Sequence, residues 1–534
     1  MKCNIVFMII FLVTASCSKQ KDNAIKEEVL KEKGEVFYHI FQRSFFDTNN
    51  DLHGDLNGIV EKIDYFKKLG VTSLLFTPLY ESIYYHNYFA DDFMSIDSEF
   101  GTIDDYFNMV KTLHRNDLKF YMDMEIHYVT KNHVWFKNSF NNPNSEYSNH
   151  VIYNGKGNTD PESMIFNLNR LESFDGKSID ITTVDLYNED VKMYFYNLFT
   201  YWVDPNRDGD FSDGVDGFRI DHMMDDLDWK GIRTNLFVDF WAPLFTHLKS
   251  INPDLKIFGE QANWKDLGQE YFTKGKVDMM FAFGLREGIL SQNKEILENK
   301  MDSLIKFTPK DKDQILFIEN HDTPRFSSLV GNNIDMMKLG GFLMFSNRGV
   351  PSIYYGQELG MMGVGGFGRF GSTDGNDIPM REAFEWHKSV EGLGMSLWYK
   401  NSGPWWDETS LRNNDGVSFE EQKDNPESLF NFYRKLIKLR KENSAISSGD
   451  QVILQNENPN ILTFLRFNED QVLIMALNLS DKKQSTFVDW DDILPKNDKE
   501  FRAFLLNNGG SIISENKKHK ITLAGKGFFT CEIK

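Results

Sequence analysis

From Glu35 onward, short runs of apolar residues alternate with segments whose apolar positions recur at helical spacing. Eight runs stand out: 35–45, 71–80, 119–128, 215–222, 255–262, 277–284, 315–322 and 350–358. Most are apolar at consecutive positions, as strands covered on both faces must be. The segments between them, such as Ile59–Leu69 and Ile103–Leu118, read as helices. Eight strands alternating with helices predict a closed (β/α)8 TIM barrel in preference to an open sheet. The alternation breaks at 129–183, a stretch rich in Asn, Ser and Gly, which reads as an excursion after the third strand. After the eighth run comes a Gly-rich, Trp-containing stretch, 359–425, and then a helix, LFNFYRKLIKLRKE, that closes the barrel. Beyond it the period changes to two, as in ILTFLRF and QVLIMALNL. That change predicts a C-terminal β-sandwich over 447–534, with the barrel at 35–446 and 129–183 as its inserted subdomain. No repeat of solenoid period is present.

Three of the runs carry an acid at the end: Asp221 in VDGFRIDH, Glu260 in LKIFGEQ and Asp322 in ILFIENHD. In a (β/α)8 barrel the C-terminal strand ends meet at one mouth, so these acids converge there. Two carboxyls flanking a sugar bond are the apparatus of glycoside hydrolysis. Arg219 lies two residues before Asp221, on the same face of a strand. It is placed to hold that carboxylate ionised.

Composition narrows the partners. The formal net charge is −20, which disfavours nucleic acid and anionic membrane surfaces but not a neutral polysaccharide. Aromatics make up 14% of the chain; most belong to a large core, and the rest suit stacking on sugar rings. Of three cysteines, Cys3 and Cys17 lie in an apolar leader and only Cys531 in the body, so the body has no disulfide framework. The leader, 1–17, is too short for a transmembrane span and reads as a secretion signal. Its end, Thr14-Ala15-Ser16-Cys17, resembles a bacterial lipobox, with Thr14 where Leu is usual. Acylation at Cys17 is therefore expected, with 18–34 as a polar tether and the protein anchored outside the cytoplasm. The periplasmic face and the outer surface are both open, as is the oligomeric state.

Taken in order, the motifs GVDGFRID, FGEQ and FIENHD, with YHNYFADDFMSIDSEFGT before them, resemble the α-amylase family of glycoside hydrolases (family 13) from Glu35 to the C-terminus. The resemblance implies that Asp221 is the nucleophile, Glu260 the general acid and base, and Asp322 the third carboxylate, binding ring hydroxyls. It implies that Tyr88, Asp123, Arg219 and His321 serve substrate binding: Tyr88 as a platform beneath the reacting ring, Asp123 as a brace and His321 as a hydrogen-bond donor. The expected activity is retaining hydrolysis of α-glucosidic bonds, mainly α-1,4, in starch-like glucans. Transglycosylation, or glucan binding without catalysis on the same fold, are the alternatives. The family's Asp-x-x-x-Asn-His phrase reads Asp123-Met-Glu-Ile-His127-Tyr128 here. Its Asn, which helps bind calcium, and its His, which touches the sugar, are thus replaced. Met224 and Asp225 stand where a Lys-His pair is frequent.

Two loops carry oxygen side chains at alternate positions, as a hard cation requires. The first is Asp47, Asn49, Asp51, His53 (through its carbonyl) and Asp55; the second is Asp204, Asn206, Asp208, Asp210 and Asp213. Both are expected to hold structural Ca2+. The second precedes the fourth strand and so lies at the bottom of the barrel, away from the chemistry.

Overall fold

The computed structural model describes residues 34–490, 501–515 and 518–533; the expected signal segment with Cys17, and the expected tether up to residue 33, lie outside them. Eight parallel strands close into a barrel: β1 (Phe37–Ile40), β2 (Ser73–Phe76), β3 (Lys119–Met124), β4 (Gly217–Met223), β5 (Lys256–Gln261), β6 (Met279–Phe281), β7 (Asp313–Leu316) and β8 (Val350–Tyr354). Each pairs with its neighbours in sequence, and β8 returns to β1. The order is the one that right-handed β–α–β crossovers produce.

The inside of the barrel is layered. Phe37, Leu75, Tyr121, Phe258, Met279, Ile315 and Val350 form an apolar plug, with Phe281, Phe283 and Phe317 above it. Gly217 in β4 makes room for Tyr121: a Cβ there would stand 2.8 Å from the Tyr121 ring and 2.1 Å from the Lys256 carbonyl oxygen. Two residues further along the same strands the inward positions turn polar. Tyr121 is followed by Asp123, Phe258 by Glu260, and Gly217 by Arg219 and then Asp221. The period of two in a strand thus sets the acids on a hydrophobic floor.

Most of the predicted runs overshoot their strands, and three are telling. The first strand stops at Ile40, and Gln42–Ser44 form a 3-10 turn. The third stops at Met124; Tyr128–Thr130 instead pairs with Ser178–Thr183, which pairs with Arg170–Glu172, in the three-stranded sheet of the excursion. The seventh stops at Leu316, so Asp322 stands in a loop and not at a strand tip. The cause is the polar phrase after it: Glu319 accepts from the Phe326 N–H and pairs with Arg325, and the Thr323 hydroxyl accepts from the Asn320 N–H. Those bonds build a turn where a ladder would need free backbone groups.

The C-terminal β domain consists, among the described residues, of six antiparallel strands: β9 (Asp450–Leu454), β10 (Ile461–Phe467), β11 (Val472–Asn478), β12 (Gln484–Val488), β13 (Phe501–Glu515) and β14 (Lys518–Ile533). The long β14 pairs with β11 through Phe528–Ile533 and with β12 through His519–Leu523, while β13 runs along it as well. Alternation in β10 explains how the sheet is buried on both faces. Ile461 and Leu465 join the domain's own core with Ile474 and Phe529, whereas Leu462 and Phe464 join the barrel's cluster. At that junction Phe528 stacks on Phe342, ring centroids 4.5 Å apart.

Candidate active site

At the C-terminal mouth of the barrel one guanidinium gathers three carboxyls. Arg219, buried, bonds to Asp123 through Nη1, to Asp221 through the same nitrogen at 2.6 Å, and to Glu260 through Nη2 at 2.7 Å. Backbone register places two of the partners. Asp123 in β3 stands directly opposite Arg219 in β4. Between β4 and β5 the register slips, Gly259 facing Ile220 but Gln261 facing Met223. That slip is a bulge of one extra residue in β4, where His222 takes a left-handed φ of 49°. Bulges of this kind re-aim side chains beside active sites. Here the two bulged residues are Asp221 and His222, which together face Glu260.

The third acid comes from the loop after β7. His321 Nε2 lies 3.0 Å from Asp322 and 2.7 Å from the Tyr88 hydroxyl, which donates to Asp123 at 2.7 Å. Tyr88 also lies flat against His321, centroids 5.4 Å apart. Arg381, from the long segment after β8, reaches Asp322 at 3.2 Å, the His321 carbonyl at 3.0 Å and the Tyr85 hydroxyl at 2.9 Å.

These groups floor a cleft of ≈ 430 Å³ whose walls include Tyr88, Tyr128, Asp221, Glu260, His321 and Asp322. Phe166, Trp229, Trp264 and Phe367 are exposed on its rim. Asp123 and Arg219 do not line it; they lie beneath the acids and act through them.

Burial sets the proton inventory. It pushes Glu260 well above the usual carboxylate range, and the charges of Asp221 and Asp322 add to this against the pull of Arg219. Burial also raises Asp221, with Arg219 as the main counterweight, and raises Asp123 to about 7. Several buried carboxyls around one guanidinium cannot all ionise. Asp322 goes the other way, below its ordinary value, because cationic neighbours outweigh its burial. His321 is itself pushed down to about 4 by burial and is neutral near pH 7, so the cations that serve Asp322 there are Arg381 and Arg219. Burial thus favours the neutral form of Glu260 and of Asp221, with Arg219 opposing it at both, while Asp322 is favoured as a charged carboxylate.

A sequence profile described as "Alpha amylase, catalytic domain" matches residues 39–449. The chain belongs to the α-amylase family. It is 27% identical over 472 residues to alpha-amylase 3 of Dictyoglomus thermophilum, covering 85% of this chain and 86% of that one. It is 29% identical over 526 residues to the probable oligo-1,6-glucosidase 3 of Bacillus subtilis, covering 84% and 90%. The crystal structure of the α-amylase from H. orenii superposes with a TM-score of 0.76 at 23% identity, over 93% of this chain and 99% of the other. This α-amylase family member is therefore a glycoside hydrolase by descent, built on the family's barrel and C-terminal β domain.

Sequence reasoning missed two of its site residues. Glu125 lines the cleft, buried, and is held by His127 through the backbone N–H and through Nδ1 at 2.7 Å. The signal was available: Asp123, Glu125 and His127 recur at every second position. Arg381 has no such signal, since it sits in an irregular segment that only tertiary folding brings to the mouth.

The two acidic loops fold as hydrogen-bonded turns. Asp47 accepts from the N–H groups of Asn49, Asn50 and Leu52, Asn49 from that of Asp51, and Asp51 from that of His53. Asp55 caps the helix Leu56–Glu61 through the Gly58 N–H and takes the Thr48 N–H with its other oxygen. In the second loop Asp204 accepts from Asp208 and Gly209, Asp208 from Asp210, and Asp210 from Ser212, while Asn206 donates to Asp213. The donor chemistry suits calcium. As arranged, however, no group of three or more acids, histidines or cysteines among the described residues is placed to hold a metal ion.

Proposed function

We propose that this chain is a retaining hydrolase of α-glucosidic bonds, mainly α-1,4, in starch-like glucans or maltooligosaccharides. The observation that carries the reading is the Arg219 cluster: one buried guanidinium bonded to Asp221 and Glu260 at the floor of an aromatic-rimmed cleft. The two carboxyls are within hydrogen-bond reach of each other. An inverting pair stands about 6.5–9.5 Å apart to admit a water, and a retaining pair about 5–5.5 Å apart.

Each residue then has a task. Asp221 attacks the anomeric carbon and forms a glycosyl ester, while Glu260 gives its proton to the departing glycosidic oxygen. Glu260, now a carboxylate, takes a proton from water, whose oxygen displaces Asp221 and restores it. Arg219 keeps Asp221 charged, and Asp322, held by Arg381, accepts hydrogen bonds from the ring hydroxyls. The exposed aromatic rim supports further sugar units.

The test is product analysis over time with starch, pullulan, cyclodextrins and short maltooligosaccharides, with the anomer read by NMR. Release of the α-anomer supports the reading. Transfer products longer than the substrate would reassign the enzyme as a transglycosylase, and no bond cleavage at all would leave a glucan-binding protein.

We propose further that the mature chain is lipid-anchored at Cys17 outside the cytoplasm and carries structural calcium at Asp47–Asp55 and Asp204–Asp213, readings that rest on the sequence motifs. Cys17→Ser should release the protein from the membrane fraction or leave it unprocessed. A cytoplasmic pool of mature protein would overturn the anchor.

A further inference from the structure

The two ends of the cleft are built differently. On the side of Glu260 stand Trp229 and Trp264, both exposed. Trp264 stacks on Phe283, centroids 4.6 Å apart, and Lys230 ties the Trp229 turn to Glu162 at 2.7 Å. Among the described residues no hydrogen bond or ring contact joins one tryptophan to the other, which leaves this end open.

On the side of Asp322 the walls meet. The excursion strand Arg170–Glu172 joins the segment after β8 through a parallel β-bridge, Glu172 to Thr373. Leu171 and Thr373 both line the cleft, so the bridge ends it. The floor joins at the same place. The Tyr85 hydroxyl donates to the Asp374 carbonyl at 3.1 Å, and the Tyr84 hydroxyl to the Leu171 carbonyl at 2.8 Å. Phe174 packs edge-on against Tyr85 and Trp398, centroids 5.5 and 5.1 Å away.

This closed end carries polar groups of its own. The 3-10 turn that starts at the bridge, Asp374–Met380, holds Asp377 and leads into Arg381. Arg381 Nη2 lies 3.2 Å from Asp322 and 3.5 Å from Asp377. Two carboxylates on one nitrogen reach the same sugar unit. The Asp377 side chain is 34% exposed and lines the cleft, so it is open to a ligand. His86, also on the cleft wall, accepts the Tyr88 N–H at Nδ1, which leaves its ring proton on Nε2. The closed end thus offers an acceptor and a donor.

The acid sets the direction of the substrate. Glu260 gives its proton to the departing oxygen, so the leaving part of the chain lies on its side. Asp322 holds the ring that stays. A further sugar on the 4-oxygen of that ring would run into the joined walls.

We propose that the cleft is a blind pocket for one terminal glucose: it admits the non-reducing end of a glucan, Asp377 accepts the free 4-hydroxyl of that end, and glucose is released from chain ends without cuts inside the chain. This rests on the hydrolase reading above and narrows its substrate to non-reducing ends. The 4-hydroxyl suits the task because in an α-1,4 chain only the terminal unit has it free. A site built to bond a hydroxyl strongly rejects the form that lacks it.

The experiment uses the full chain and nitrophenyl maltoheptaoside in two forms. One has a free non-reducing end; in the other that end is blocked as the 4,6-O-ethylidene acetal. The parent should release glucose first from the free chain and cleave the blocked one on the order of a hundredfold more slowly. Calorimetry with Asp221→Asn, which binds without turnover, should show the blocked chain bound at least about tenfold more weakly. Adding Asp377→Ala to that variant should weaken the free chain by about tenfold and leave the blocked one unchanged, so that the ratio shrinks. Asp377→Asn, which keeps an acceptor oxygen, should retain part of the ratio, and melting temperature checks that both variants fold. Similar cleavage of the two chains, or maltose and longer sugars as first products, would overturn the proposal. So would equal binding of the two chains, and a ratio unchanged by Asp377→Ala would remove Asp377 as the reader of the end. If binding separates the two chains but the parent cleaves neither, the blind pocket stands and the hydrolase reading falls.

Discussion

At the scale of single residues, the site works by giving chemically similar carboxyls different surroundings. Asp221 and Glu260 share Arg219 and are both raised by burial, whereas Asp322 lies beside Arg381 and is held below its ordinary value. Asp221→Asn should lower kcat by roughly 10⁴ or more, the order seen when a covalent nucleophile is lost, while glucan binding persists. Glu260→Gln should cost about 10²–10⁴ on natural glucans and much less on the first step with an aryl glucoside whose leaving group needs no proton. Steady-state and burst kinetics on both substrates check this, and equal losses on both would deny Glu260 its role as acid. Burial also loads protons elsewhere. Glu358, under the Tyr38 and Tyr65 hydroxyls, is raised from 4.5 to about 7, with burial as the main cause. The folded chain then binds this proton more tightly than the unfolded chain does. Its contribution to stability is fully present below the unfolded pKa. It is lost as pH rises from about 4.5 through 7, at roughly 1.4 kcal/mol for each pH step of one across that window. Glu358→Gln should flatten that part of the melting-temperature profile, and an unchanged slope between pH 4.5 and 7 would remove Glu358 as its source.

At the scale of elements, what was legible followed from periodicity. β4 and β5 could be placed with their acids because an apolar run that ends in charge has one reading in a parallel barrel: buried up to the mouth, polar at it. The Arg219–Asp221 pairing also follows from spacing alone. The seventh strand was overrun because ILFIENHD is apolar through Ile318, and only the side-chain bonds of Glu319, Arg325 and Thr323 reveal the turn. Glu125 escaped notice because the family pattern draws attention to Asp123, His127 and Tyr128 only. Calcium belongs at this scale, since it concerns one loop. The oxygens of Asp47, Asn49 and Asp51 alternate as a cation needs, yet in the structure they serve backbone N–H groups. If the loop takes up the ion by turning them inward, a hundredfold excess over Kd adds about 2.7 kcal/mol. A chelator should then lower Tm, added calcium should restore it, and Asp51→Ala should remove most of the response. Equal melting in chelator and calcium, with no metal found by elemental analysis, would leave Asp47–Asp55 as a turn held by its own hydrogen bonds.

At the scale of the whole molecule, the barrel and the β domain share one core. The main apolar cluster runs from Val36 in the barrel to Phe528 in β14. Two buried arginines pin the junction through backbone carbonyls. Arg466 in β10 donates to Ser346 at 2.8 Å, Ile446 at 2.7 Å and Gly449 at 3.0 Å, and Arg440 donates to Gly349 at 2.6 Å. Burial lowers Arg466 to about 9 and Arg440 to about 10, so both stay charged near pH 7, and neither forms a salt bridge among the described residues. Carbonyls at the ends of the helices Ile334–Ser346 and Ser444–Ser448 supply the negative ends that take the charge. A junction of this kind couples the two parts: the barrel-facing side of the sheet cannot be uncovered without exposing apolar surface from both. Calorimetry of the full chain should therefore give a single unfolding transition. Arg466→Met keeps much of the volume but leaves three carbonyls without their donor, at about 1–3 kcal/mol for each one that stays buried and unsatisfied. Its Tm should fall by several degrees while kcat on short maltooligosaccharides holds, because the arginine lies far from the mouth. Two separate transitions in the parent would mean that the β domain is an independent unit and that the arginines merely decorate its boundary.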